Sequence, residues 1–215
     1  MESYKRNMLS AFDAADAEQF GAECRNVTRE ILRRDDIINA SMRKRMEDQV
    51  RAAVEQGLLR SHLSRLQESA MNKARRLETS LISKCDSLQA LSFTSMCEVL
   101  GVPEALRLQW WGPVALMKAW SASYGNLLPH ASLEFVLQIK DAIFAEARSG
   151  GLKEMSADEL LPVLALIIVR ASPRTLCAAS ALLQMFYGDD LASGEAAYYL
   201  VSIESAIQLI AHLKM

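Results

Sequence analysis

Hydrophobic side chains in this chain return every three or four residues through long stretches where proline and glycine are scarce, and that spacing restricts it to helices. Val27, Ile31 and Leu32, then Met42, Met46, Val50 and Val54, then Leu59, Leu63 and Leu66 form successive stripes between faces rich in Arg and Glu. Residues 1 to about 80 therefore read as three or more amphipathic helices. The charge runs RRDD at 33–36 and RKR at 43–45 read as helix faces turned to water, with docking patches as the alternative. No seven-residue repeat persists long enough to demand a coiled coil.

After about residue 90 the chain is punctuated by Gly101-Val102-Pro103, Gly112-Pro113, Gly125-Asn126, Gly150-Gly151, Ser172-Pro173, Gly188 and Gly194, which cut it into helix-length pieces. Pro129 opens a stretch whose Leu133, Val136, Ile139 and Ile143 share one face, and Gly150-Gly151 closes it. Ile167, Ile168 and Val169 alone suggest a strand, but they sit inside a run opened by a capping signal, which predicts helix. The predicted fold class is all-α.

Composition narrows the function. At 215 residues and 51% hydrophobic content the chain can bury one sizeable core, or a core plus a smaller helical appendage. A net charge of -2 offers no basic excess, which excludes a nucleic-acid partner. Cys24, Cys85, Cys97 and Cys177 lie far apart, against both a zinc site and a disulfide framework, and read as free thiols. The N-terminus lacks the apolar stretch of a secretory signal. The longest apolar run, Leu160 to Val169, is ten residues including a proline, too short to span a bilayer. The chain thus reads as soluble and intracellular, with no lipid-anchor motif at MES or HLKM. His62, His130 and His212 are scattered, and neither a nucleophile elbow nor a glycine-rich phosphate loop is present, so nothing points to a hydrolase or kinase. Trp110, Trp111 and Trp120 are expected to pack between the N-terminal helices and the C-terminal part.

Two segments carry the functional signal. In Ser156-Ala157-Asp158-Glu159-Leu160-Leu161-Pro162, Ser156 and Glu159 fit a capping box, and Pro162 cannot donate to the carbonyl of Asp158, which should kink or loosen the first turn. Asp158 is then either a helix-start carboxylate without a partner or a contact residue. In Ser193-Gly194-Glu195-Ala196-Ala197-Tyr198-Tyr199-Leu200-Val201-Ser202, Leu200, Ile203, Ile207, Ile210 and Leu213 would face the core. Tyr198, Val201, Ser202 and Ser205 fall on another face, where Tyr198 is either a contact residue or a tyrosine half-buried against a neighbouring helix.

Read in order, SADELLPVLALIIVRASPRTL, LLQMF and SGEAAYYLVSIESAIQLI resemble the signature of VPS-nine (vacuolar protein sorting nine) domains. The resemblance continues upstream through PHASLEFVLQIKDAIFAEA and, more loosely, LQALSFTSMCEVLGVP, about the last 130 residues in all. It implies an N-terminal helical region over 1–80 packed on an exchange domain over 81–215. It further implies a guanine nucleotide exchange factor for early-endosomal Rab GTPases, a regulator without covalent chemistry, cofactor or metal. Such a protein would be cytoplasmic and peripheral on early endosomes. By resemblance Asp158 takes the catalytic role of an acid offered to the GTPase's phosphate-loop lysine, and Pro162, Tyr198, Val201 and Ser202 contact the Rab. The chain departs from the family at Val201, where a threonine is usual, and Ser202 is about 100° further round the helix. A Rab-binding module with weak or no exchange activity, or a helical adaptor in endosomal trafficking, are the alternatives.

Overall fold

The computed structural model describes residues 63–152, 155–188 and 194–214, with scattered positions between 19 and 57. The charge runs at 33–36 and 43–45, most of the stripes before Leu63, and the loop residues Asp189, Asp190 and Ser193 lie outside the described residues. Within them the chain forms α1 (Leu63–Gln89), α2 (Phe93–Val99), a 3-10 turn (Glu104–Leu106), α3 (Trp111–Ser123), α4 (Pro129–Ser149), α5 (Ala157–Ala171), α6 (Leu176–Tyr187) and α7 (Glu195–Ala211). No strand occurs among the described residues, so the fold is all-α.

The most buried elements are α5 and α6. Every residue from Val163 to Val169 is buried, which is why this stretch is apolar all round rather than striped. The adjacent α6 buries ten of its residues, including Leu176, Leu183 and Phe186. Around this pair the striped helices pack with one face each. Helix α4 turns Val136, Ile139 and Ile143 inward, starts at Pro129 and ends at Gly150, followed by Gly151 at φ +88°. Helix α7 buries Leu200, Ile203, Ile207 and Ile210, and packs against both α5 and α4.

Helix α1 is the long strut, and its most extensive packing is against α6. Residue 80, the division read from the sequence, lies inside it. Polar ties fasten it along its length. Gln67 donates to the Tyr124 carbonyl at 2.7 Å and the Tyr124 hydroxyl returns a bond to the Gln67 carbonyl at 2.7 Å. Gln89 at the far end donates to the Val169 carbonyl at 2.6 Å, and Lys84 reaches the Leu213 carbonyl at 2.8 Å. Between them the buried Glu78 accepts from the Ala178 amide at 3.0 Å.

That last contact solves a local problem for α6. A helix start leaves backbone amides without partners, and the cap residue Thr175 supplies no side-chain bond of its own. Glu78 takes one amide from across the core, and the Ser121 hydroxyl of α3 accepts from Arg174 and Thr175 at 3.0 and 3.2 Å. Burial outweighs these bonds for Glu78 and holds its carboxyl above the ordinary carboxylate range.

The tryptophans divide. Trp110 and Trp120 are fully buried, but Trp111 is 68% exposed, a correction to the packing role expected of all three. The backbone explains it: Trp110 sits in the left-handed region at φ 49° and donates its indole N–H to the Leu106 carbonyl at 3.1 Å, which turns its neighbour outward. There Trp111 lies over the Arg170 guanidinium, 4.8 Å from the ring centre.

Candidate functional site

The start of α5 has the capping box that the sequence predicts. Ser156 is extended at φ -74°, ψ 163°, and its hydroxyl oxygen accepts from the Glu159 amide at 3.3 Å. The Glu159 carboxylate in turn accepts from the Ser156 amide and hydroxyl, each at 2.8 Å. The Ser156 backbone N–H, and then its hydroxyl, hold the Glu159 carboxyl below its ordinary value.

Between Ser156 and Glu159, the exposed Asp158 carboxylate has no hydrogen-bond or ion-pair partner among the described residues. One of two adjacent acids is thus fixed to the backbone and the other is presented. Asp158 occupies the second helical position, where the helix dipole favours a negative charge. Pro162, half-buried, lies one turn further on the same face, and Leu161 beside it is also partly exposed. Pro162 leaves the Asp158 carbonyl without its helical donor, yet α5 runs unbroken from Ala157 to Ala171. From Val163 onward α5 is sealed, so a partner reaches it through its opening turns alone until its far end at Arg170.

Helix α7 supplies the other part of the surface. Gly194 precedes it at φ 108°, a conformation that suits glycine. The Glu195 carboxylate meets Lys140 of α4 at 3.1 Å, and Tyr199 packs edge-on against Phe144 with 6.3 Å between ring centres. These contacts assign opposite roles to the tyrosine pair. Tyr199 is turned toward α4, while Tyr198 is 50% exposed and its hydroxyl has no partner among the described residues. Val201 is 58% exposed, one turn along the same stripe, which continues through exposed Ser205 and Gln208. Ser202 is half-buried and donates its hydroxyl to the Tyr198 carbonyl at 2.9 Å, so that donor is already used within the helix.

Helices α5 and α7 pack directly against one another. The structure therefore holds Asp158, Pro162, Tyr198 and Val201 on two contiguous elements, all at least partly accessible. Leu161 and Gln208 extend this surface beyond the residues singled out from the sequence. Both were readable from spacing, three after Asp158 and three after Ser205. Among the described residues no cluster of His, Cys, Asp and Glu could hold a metal ion, and no helix is long and apolar enough to cross a membrane.

Residues 124–215 match the family described as the Vacuolar sorting protein 9 (VPS9) domain. The chain is also similar to "Receptor-mediated endocytosis protein 6" of Caenorhabditis briggsae and of Caenorhabditis elegans, 44% identical to each over 55 residues. That stretch is 26% of this chain and 5% of the length of each relative. The matched segment contains Asp158, Pro162, Tyr198, Val201 and Ser202 and the whole of the buried pair α5 and α6 with α4 and α7 around it, so it is residues 124–215 of this chain that are similar to the VPS9 domain family.

Proposed function

We propose that this chain is a guanine nucleotide exchange factor that promotes GDP release from an early-endosomal Rab GTPase. The observation that carries the reading is the Asp158 carboxylate, unpaired among the described residues and presented at the start of a helix whose other first-turn acid, Glu159, is locked in the cap. The VPS9 domain supports a GTPase partner, and the endocytic naming of the two nematode relatives supports the pathway.

A GTPase holds GDP through Mg²⁺ and the lysine of its phosphate loop. A carboxylate brought to about 4 Å from that lysine, at an effective dielectric of about 20, gains roughly 4 kcal/mol of gross attraction. Part of that attraction offsets the desolvation of the two charges, and each 1.4 kcal/mol that remains is worth about tenfold in release rate. Asp158 offers the charge; Tyr198, Val201 and Pro162 dock the GTPase, with Ser202 at the margin of that contact. No bond is made or broken, and no cofactor takes part. The module spans 81–215, braced by the helical region over 1–80, and works from the cytoplasmic face of early endosomes as a peripheral protein.

The exposed Val201 also favours a second reading, a Rab-binding module with weak exchange, because valine presents a methyl where the family resemblance calls for a hydroxyl. Fluorescent-GDP release across a panel of Rab GTPases tests the proposal. Acceleration confined to the early-endosomal members is expected; saturable binding without acceleration would support the second reading, and release at the intrinsic rate throughout without binding would contradict both.

A further inference from the structure

Beside Val201 the surface opens into a groove of about 530 Å³ walled by α1, α6 and α7. Lys73 and Leu77 enter it from α1, Ala181 and Gln184 from α6, and Val201 and Glu204 from α7. Helix α1 lies before the VPS9 segment, so one wall of the groove is outside the matched domain.

The chemistry inside is asymmetric. The Glu204 carboxylate is half-buried and accepts from Gln184 Nε2 at 2.7 Å and from the Ser180 hydroxyl. Both donors are neutral, and no cation pairs with Glu204 among the described residues. Neutral donors orient a carboxylate but leave its charge in place, so a cation arriving there forms a charge-assisted bond. Lys73, on the α1 wall, is exposed and has no ion-pair partner among the described residues. Val201 belongs both to the exposed stripe of α7 and to the rim of the groove, and a protein seated on it lays its surface across the opening.

We propose that the groove receives a Lys or Arg side chain of the same GTPase, its stem against Leu77 and Val201 and its charged end at Glu204. Helix α1 then shapes GTPase preference directly, beyond bracing the domain. The inference rests on the exchange-factor reading, since a GTPase docked on Val201 is what delivers that side chain.

The test titrates the full chain against GDP-loaded early-endosomal Rab GTPases and reads half-saturation apart from the release rate at saturation. Glu204→Gln keeps an acceptor for Ser180 and Gln184 but removes the charge. It is expected to raise half-saturation about fivefold and to flatten its dependence on salt. Lys73→Glu removes a like charge from the opposite wall and is expected to lower half-saturation about threefold. Half-saturation unmoved by both substitutions overturns the proposal. So does a weakening by Lys73→Glu, which would mean an acidic occupant. If the parent binds nucleotide-free GTPase without accelerating release, the exchange reading fails while the two variants still decide the groove through dissociation constants. A parent that binds no GTPase overturns both.

Discussion

Asp158 and Glu159 carry the same charge in neighbouring positions, yet hydrogen bonding separates them. Glu159 is held by two bonds from Ser156, and Asp158 by none among the described residues. Val201 is the second residue whose chemistry has a direct test. Val201→Thr restores a hydroxyl at an exposed position, and a bond worth about 0.5–1.5 kcal/mol corresponds to roughly two- to tenfold faster release. An unchanged or slower rate would show that valine is no lesion at this site. Glu78 is a structural counterpart, a buried acid serving the start of α6. Glu78→Ala leaves the Ala178 amide unpaired and is expected to lower unfolding free energy by about 1–3 kcal/mol in urea titrations. Burial raises the folded-state pKa of Glu78, so the protonated form is favoured on folding. Its contribution is fully present below the unfolded value of about 4.5 and is lost as pH rises through the folded value. Glu78→Gln should remove that loss, so the stability of variant relative to parent should climb across this window; parallel pH profiles would contradict the assignment.

At the scale of the element, α5 joins a capped, accessible start to a sealed interior. Ser156→Ala removes the hydroxyl of the capping box and is expected to cost about 1 kcal/mol, read as a shift in the urea midpoint at unchanged slope. A stability equal to the parent would mean that the cap is not what fixes the helix start. Much of this element was legible beforehand, because capping and 3.6-residue periodicity are local rules. Ser156 and Glu159 announced the start of α5, and Leu200, Ile203, Ile207 and Ile210 announced the buried face of α7. The same locality explains what was not legible. Periodicity cannot show that Glu78 reaches Ala178, a hundred residues on, nor that Tyr199 rather than Tyr198 turns toward Phe144. Trp111 escaped because the left-handed backbone at Trp110, a non-glycine residue, leaves no compositional signal.

For the molecule as a whole, the matched family segment and the folded unit do not coincide. Helix α1 precedes the segment that begins at residue 124, yet it packs along α6 and meets α5 and α7. A fragment of 124–215 would expose the faces of α5 and α6 that α1 and α3 cover and would lose both ties to the start of α6. We expect that fragment to show no cooperative unfolding transition, whereas the full chain shows one; a cooperative transition in the fragment would demote α1 to an accessory. The arrangement also ties the candidate surface to the core, since α7 is anchored to α4 through Glu195 and Lys140 while its stripe of Tyr198, Val201, Ser205 and Gln208 remains open. If one presented carboxylate drives nucleotide from a GTPase, GDP release at saturating concentrations of the parent and of Asp158→Ala must differ. We expect Asp158→Ala to lose most of the acceleration with a thermal midpoint close to the parent's, because a helix-start carboxylate contributes only about 0.3–1 kcal/mol to stability. Equal release rates for the two proteins would contradict it.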